Sequence, residues 1–317
     1  MSKKARTDEW PPTSGAIKGN DGDDEKYVPP KVWKFEDTPE AKNLGNIAGN
    51  RPTAGSRFEK KVPVGKHPFQ LYSMGTPNGQ KVAIMLEELL QAGKNGAEYD
   101  AWMINIIKGD QFGSGFVDIN PNSKVPALVD YSDDKENPKK IFESGSILIY
   151  LAEKFDGMFF PCSKKTEILS WLFWQVAGGS LIGGGFGHFY ALSKEKIKYP
   201  IDRFTMETKR QLDVLERQLA SNEYVTGNEY TIADIAIWTW HAGLVLDLMH
   251  VYGESATFLN VKKDYPNVTR WGEKVAARPA VQRGSIVNKV WGAKQLAERH
   301  DAKDIDRALT TENDKQS

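Results

Sequence analysis

The chain has 317 residues with 42 basic and 42 acidic side chains, so its formal net charge is zero. Nucleic acids and anionic membrane surfaces are met by a cationic excess, so this balance argues against both as partners. Cys162 is the only cysteine, which excludes an intrachain disulfide and any Cys-rich metal site. Hydrophobic residues make up 40 % of the chain, enough for a folded core, and the length fits about two domains. The start, Met1 to Asp8, has no apolar run behind its charges, and no stretch reaches the roughly 18 apolar residues of a membrane span. Lys315-Gln316-Ser317 is neither a peroxisomal address nor a lipidation box. The expectation is a soluble, cytoplasmic protein.

In chain order, residues 1–45 are rich in Pro, Gly, Asp and Lys and read as a flexible arm, with Trp33 and Phe35 as packing anchors. Phe69 to Ser73 alternates as a strand. The turn Gly75-Thr76-Pro77-Asn78-Gly79 follows, then helical spacing over Lys81 to Leu90. Tyr99 to Ile107 reads as a second strand, Ala127–Tyr131 and Lys140–Glu143 as a hairpin, and Ser146 to Phe155 as a helix. Strand, helix, strand, connection, hairpin, helix is a small α/β layer, assigned to residues 46–160. Beyond Lys164 strand signals vanish. Helical periods over Thr166–Val176, Pro200–Leu219, Thr231–Leu248 and Val268–Ala277 predict an all-helical block over 161–292, and residues 293–317 read as a polar, mobile tail.

Thr76 and Asn78 can cap the free amides of the first helix, and Pro77 fixes its entrance. The same free amides and helix dipole can depress the pKa of a bound thiol. Val125-Pro126 admits a trans bond, the commoner state for a proline opening a strand, or a cis bond that turns the Val125 backbone toward a cleft. Glu143-Ser144 ends a strand and opens a helix, where a hydroxyl and amides suit a carboxylate. Thr231-Ile232-Ala233-Asp234 has the spacing of a capping box, a structural device. Gly183 to Gly187 lacks the residues of a phosphate loop and reads as a helix break or a close backbone approach. The five histidines show no metal spacing. His188, beside Phe186 and Tyr190, reads as packed, with pocket lining the alternative, and Cys162 as incidental rather than nucleophilic.

Ser73-Met-Gly-Thr-Pro-Asn-Gly79, Asn120 to Leu128, Glu143 to Ile147 and Thr231 to Asp234 resemble, in order, the signatures of the glutathione S-transferase superfamily. Asn50-Arg-Pro52, Leu71-Tyr-Ser73, Trp171-Leu-Phe-Trp174 and Gly183 to Tyr190 look like its nu class, which includes glutathione-dependent disulfide-bond oxidoreductases. The resemblance implies a thioredoxin-like N-terminal domain, an all-helical C-terminal domain and a homodimer. It also implies one or two bound glutathiones as co-substrate, and no metal. Thr76 and Asn78 are the implied catalytic residues beside the glutathione sulfur. Asn50, Pro77, Gln111, Lys124, Val125, Glu143, Ser144 and Arg203 complete the implied glutathione-binding set. The implied chemistry is disulfide reduction by a glutathione thiolate that a second glutathione resolves, with weak peroxidase and transferase activity beside it.

Tyr72 and Ser73 are rival thiol activators, since other transferase classes use a Tyr or Ser near this strand. Gln175 stands one position before the glutamine the class resembles, and would replace it only through a local rotation of the helix. The alternative function is a non-catalytic glutathione-binding regulator, for which an Asn/Gln-rich arm is expected. Last stands an accessory domain of translation elongation, which a basic patch would mark.

Overall fold

The structure, a computed structural model, describes residues 28–35, 49–249 and 252–310. Most of the expected arm and the end of the expected tail lie outside these. Residues 28–35 are a separate short segment in which the rings of Trp33 and Phe35 lie 6.3 Å apart.

Four strands form one mixed sheet in the order β2-β1-β3-β4: β1 Phe69–Ser73, β2 Tyr99–Met103, β3 Ala127–Asp130 and β4 Lys139–Phe142. β2 runs parallel to β1 with Phe69 opposite Tyr99, while β3 is antiparallel to both β1 and β4. The parallel pair needs a crossover, and α1, Pro77–Gln91, supplies it. Val82, Ile84, Met85, Leu86 and Leu89 of α1 are fully buried. They lie in one core with Phe69, Leu71 and Tyr99 of the sheet and Ile147, Leu148 and Leu151 of α3, Ser144–Lys154. The connection between β2 and β3 contains a short helix, α2, Ser114–Ile119, which sequence periodicity does not reveal. The Val125–Pro126 bond is cis.

The rest is helical: α4 Lys165–Ser180, α5 Lys198–Leu219, α6 Ile232–Ile237, α7 Gly243–Val245, α8 Ser255–Phe258, α9 Val261–Asp264, α10 Pro266–Ala276 and α11 Pro279–Gly284. α6 opens with the expected capping box, the Thr231 and Asp234 side chains each bonding the other's backbone amide. Instead of breaking at its glycines, α4 runs on as a wide, π-helical coil over Leu181–Leu192, and α6 runs on likewise over Trp238–Ala242. The expected mobile tail is corrected in part. Ala302–Thr310 forms α12 with Ile305 fully buried. Ahead of it Arg299, also fully buried, donates to the Tyr99 carbonyl at 2.6 Å and to Glu87 at 3.1 Å.

Candidate functional site

The N-terminus of α1, the β3 entrance, the start of α3, α4 and the two wide coils converge on a cleft of about 510 Å³, a volume usual for a small-ligand site. Thr76, Pro77, Asn78, Gln111, Lys124, Val125, Glu143 and Ser144 all line it. Asn50 stands in a neighbouring pocket of about 260 Å³ that shares Ser123 and Lys124 with the cleft. Arg203 does not line the cleft. It sits on α5 with its guanidinium 3.8 Å from Glu207.

Two donors are prepared at the mouth of α1. The Thr76 Oγ1 accepts from the Gly79 amide at 3.2 Å, so its own hydroxyl proton is left to donate elsewhere. The Trp240 indole donates from Nε1 to the Asn78 Oδ1 at 2.9 Å. An indole N–H can only donate, so the contact orients the Asn78 carboxamide and leaves its NH₂ as a second donor. Pro77 occupies the first turn of α1, where a missing amide costs nothing.

The opposite wall carries charge. Glu143 precedes α3 with φ at 68°, a left-handed conformation that costs a non-glycine residue about 1–3 kcal/mol and is held where the surroundings demand it. Lys124 has its pKa lowered by burial. Lys81 is 1 % exposed, and burial brings its pKa down to about 7 while Glu143 acts in the opposite sense. Its Nζ donates to Gln175 Oε1 at 2.6 Å and to Ser144 Oγ at 3.4 Å. A peptide with two carboxylates and one ammonium finds complementary charges here: two lysines for the carboxylates and Glu143 for the amine. The residues present therefore fit glutathione.

The rival activators face elsewhere. Tyr72 is fully buried, donates to the Pro63 carbonyl at 2.6 Å, and has its pKa raised first by burial. Ser73 is 1 % exposed and bonds the Met74 carbonyl at 3.3 Å. Cys162 is exposed in the short 3-10 turn just ahead of α4 and does not line the cleft. Among the described residues no group of three His, Cys, Asp or Glu is placed to hold a metal ion, and no helix is long and apolar enough to cross a membrane.

The structure adds residues that the motifs did not supply. Lys81 lies one turn beyond Pro77 and Asn78, and that spacing was its only signal. Trp240 and Tyr252 carry no local signal. Of the two readings for His188, the structure shows the second: it lines the cleft. Gln175, which the sequence did single out, is buried and lines it too. The glycine run is a close backbone approach: a Cβ on Gly183 would lie 2.6 Å from the Trp240 ring.

A thioredoxin-like sheet joined to a helical block, with an anion-ready cleft at the first helix, defines a glutathione transferase. Residues 67–153 match the glutathione S-transferase N-terminal domain and residues 199–272 the C-terminal domain. The chain is 54 % identical over 289 residues to the disulfide-bond oxidoreductase YghU of Escherichia coli, covering 89 % of this chain and 96 % of that one. It is similar to the crystal structure of glutathione transferase YghU from Streptococcus pneumoniae complexed with glutathione (TM-score 0.77, 51 % identity, 84 % of this chain and 99 % of that one). A Pseudomonas fluorescens family member with two glutathiones bound is also similar (TM-score 0.61, 37 % identity, 68 % and 92 % covered). The chain belongs to the glutathione S-transferase family.

Proposed function

We propose that this protein is an enzyme that reduces disulfides with glutathione, as a nu-class homodimer of the cytoplasm. Two glutathione thiols are oxidised to one disulfide while the substrate disulfide is reduced to two thiols, so two electrons and two protons pass between the pairs. The observation that carries the reading is the prepared pair of neutral donors, Thr76 and Asn78, at the head of α1, with no protein thiol in the cleft. Neutral donors favour a thiolate by roughly 1.5–3 kcal/mol each without lowering its nucleophilicity as far as a cation would. The relatives' names supply the substrate class, and weak peroxidase and transferase activity would use the same sulfur.

The test is the double variant Thr76→Ala/Asn78→Ala, assayed with glutathione and 2-hydroxyethyl disulfide at pH 7. A fall of about tenfold or more is expected from each lost donor. Unchanged turnover would remove the assignment, and a wild-type chain that binds glutathione but turns nothing over would make it a regulator.

A further inference from the structure

One charge that faces a ligand carboxylate in this cleft takes no part in the sulfur chemistry. Lys81 is all but fully buried, yet no carboxylate stands within ion-pair distance of it among the described residues; its partners are the neutral Gln175 and Ser144 oxygens. A buried ammonium without a counter-charge is costly, and proteins keep one mainly where an anion arrives with a ligand. An ammonium has three N–H donors, and two are placed. Ser144, accepting from Lys81, keeps its own proton to donate.

The groups facing Lys81 are few. α3 and the residue before it bring Ser144 and Glu143, α4 brings Gln175, and the Trp238–Ala242 coil brings His241. His241 is fully buried and its pKa is pulled down to about 3 by desolvation, so it stays neutral near pH 7. Glu143 is then the acidic group whose field reaches the lysine.

We propose that Lys81 is an anion-binding residue of this cleft, which takes up a proton as a ligand carboxylate is seated beside Ser144. The inference rests on the glutathione reading of the cleft and adds a coupling between binding and protonation. Without ligand, burial leaves the amine close to half neutral at pH 7. A carboxylate beside it restores the charged form, so the ligand binds the protonated protein and affinity falls as pH rises above 7.

Titration calorimetry with S-methylglutathione, whose sulfur cannot ionise, tests this in two buffers of different protonation enthalpy. For the wild type, affinity is expected to fall roughly 10–30-fold from pH 6.5 to 8.5, with uptake of about 0.7 proton per ligand at pH 7.5. Lys81→Met should bind more weakly at pH 6.5 with the uptake lost. Lys81→Arg, with a fixed charge, should lose the uptake as well. Retained uptake in either folded variant would assign the proton to another cleft residue such as His188 or Lys124 and overturn the proposal. Wild-type binding that is independent of pH would overturn it while leaving the glutathione reading intact. No wild-type binding at any pH would overturn both.

Discussion

Gly183 and Gly184 are neighbours in the wide coil, and the structure assigns them opposite tolerances. A Cβ at Gly183 would sit 2.6 and 2.8 Å from two atoms of the Trp240 six-membered ring, whereas one at Gly184 meets nothing within 4 Å. The ring cannot flex to absorb the overlap, so in Gly183→Ala the indole must move as a body. Overpacking of this kind costs about 1–3 kcal/mol. Moving the indole also breaks its 2.9 Å bond to Asn78, which orients the donor proposed to meet the glutathione sulfur, at a further cost of about 0.5–1.5 kcal/mol in transition-state stabilisation. Gly183→Ala is therefore expected to lower the midpoint of thermal unfolding by roughly 2–10 °C and kcat/KM for disulfide reduction by about two- to twelvefold. Gly184→Ala should unfold within about 2 °C of wild type. Differential scanning calorimetry and steady-state kinetics on both variants decide it. If Gly183→Ala matches wild type in both, Trp240 does not hold Asn78 and the account of the donor pair fails.

Arg299→Ala removes a guanidinium that bonds Glu87, Glu98 and the Tyr99 carbonyl from a fully buried position. Because Glu87 keeps Arg283 at 2.8 Å, the loss should fall near the lower end of the range for broken buried pairs, about 3 kcal/mol by urea denaturation. His241 titrates near 3 in the folded protein because burial disfavours its charged form, against an ordinary value of 6.5. The unfolded chain therefore binds that proton first. Stability present above pH 6.5 is lost as pH falls toward 3, with a slope from this residue of at most about 1.4 kcal/mol per pH unit. His241→Phe/Gln211→Leu, which removes both partners of the 3.0 Å bond between them, should flatten the decline between pH 6.5 and 5 in denaturation curves.

The sequence motifs named most of the residues that line the cleft because each motif depends on neighbours in the chain. Thr76 caps the helix that Pro77 opens, and Glu143-Ser144 marks the passage from β4 to α3. What they could not disclose lies far along the chain. Trp240 orients Asn78 from 162 residues away, and Gln175 meets Lys81 across 94. Spacing carries no trace of such pairs. The final helix escaped for another reason: its apolar stripe is short, Ile305 buried with Ala308 and Leu309 packed partly against the core, and it lies in a stretch otherwise rich in charge. Order there comes also from contacts such as the Arg283–Asp306 ion pair at 2.5 Å and the hydrogen bond between His300 Nδ1 and Asp100 at 2.9 Å, whose partners are invisible in composition. At Gly183 to Gly187, where a helix break or a close backbone approach was expected, a π-helical coil supplies the close approach. Those glycines serve to admit aromatic rings, Trp240 and Tyr252 among them, against the backbone.

The central claim is that the reacting sulfur comes with the ligand and that the polypeptide only binds and ionises it. The most direct measurement is the rate of 2-hydroxyethyl disulfide reduction by glutathione in Cys162→Ser, which replaces the chain's one thiol, an exposed side chain outside the cleft. A rate equal to wild type is expected. Abolished turnover in a folded Cys162→Ser protein would contradict it.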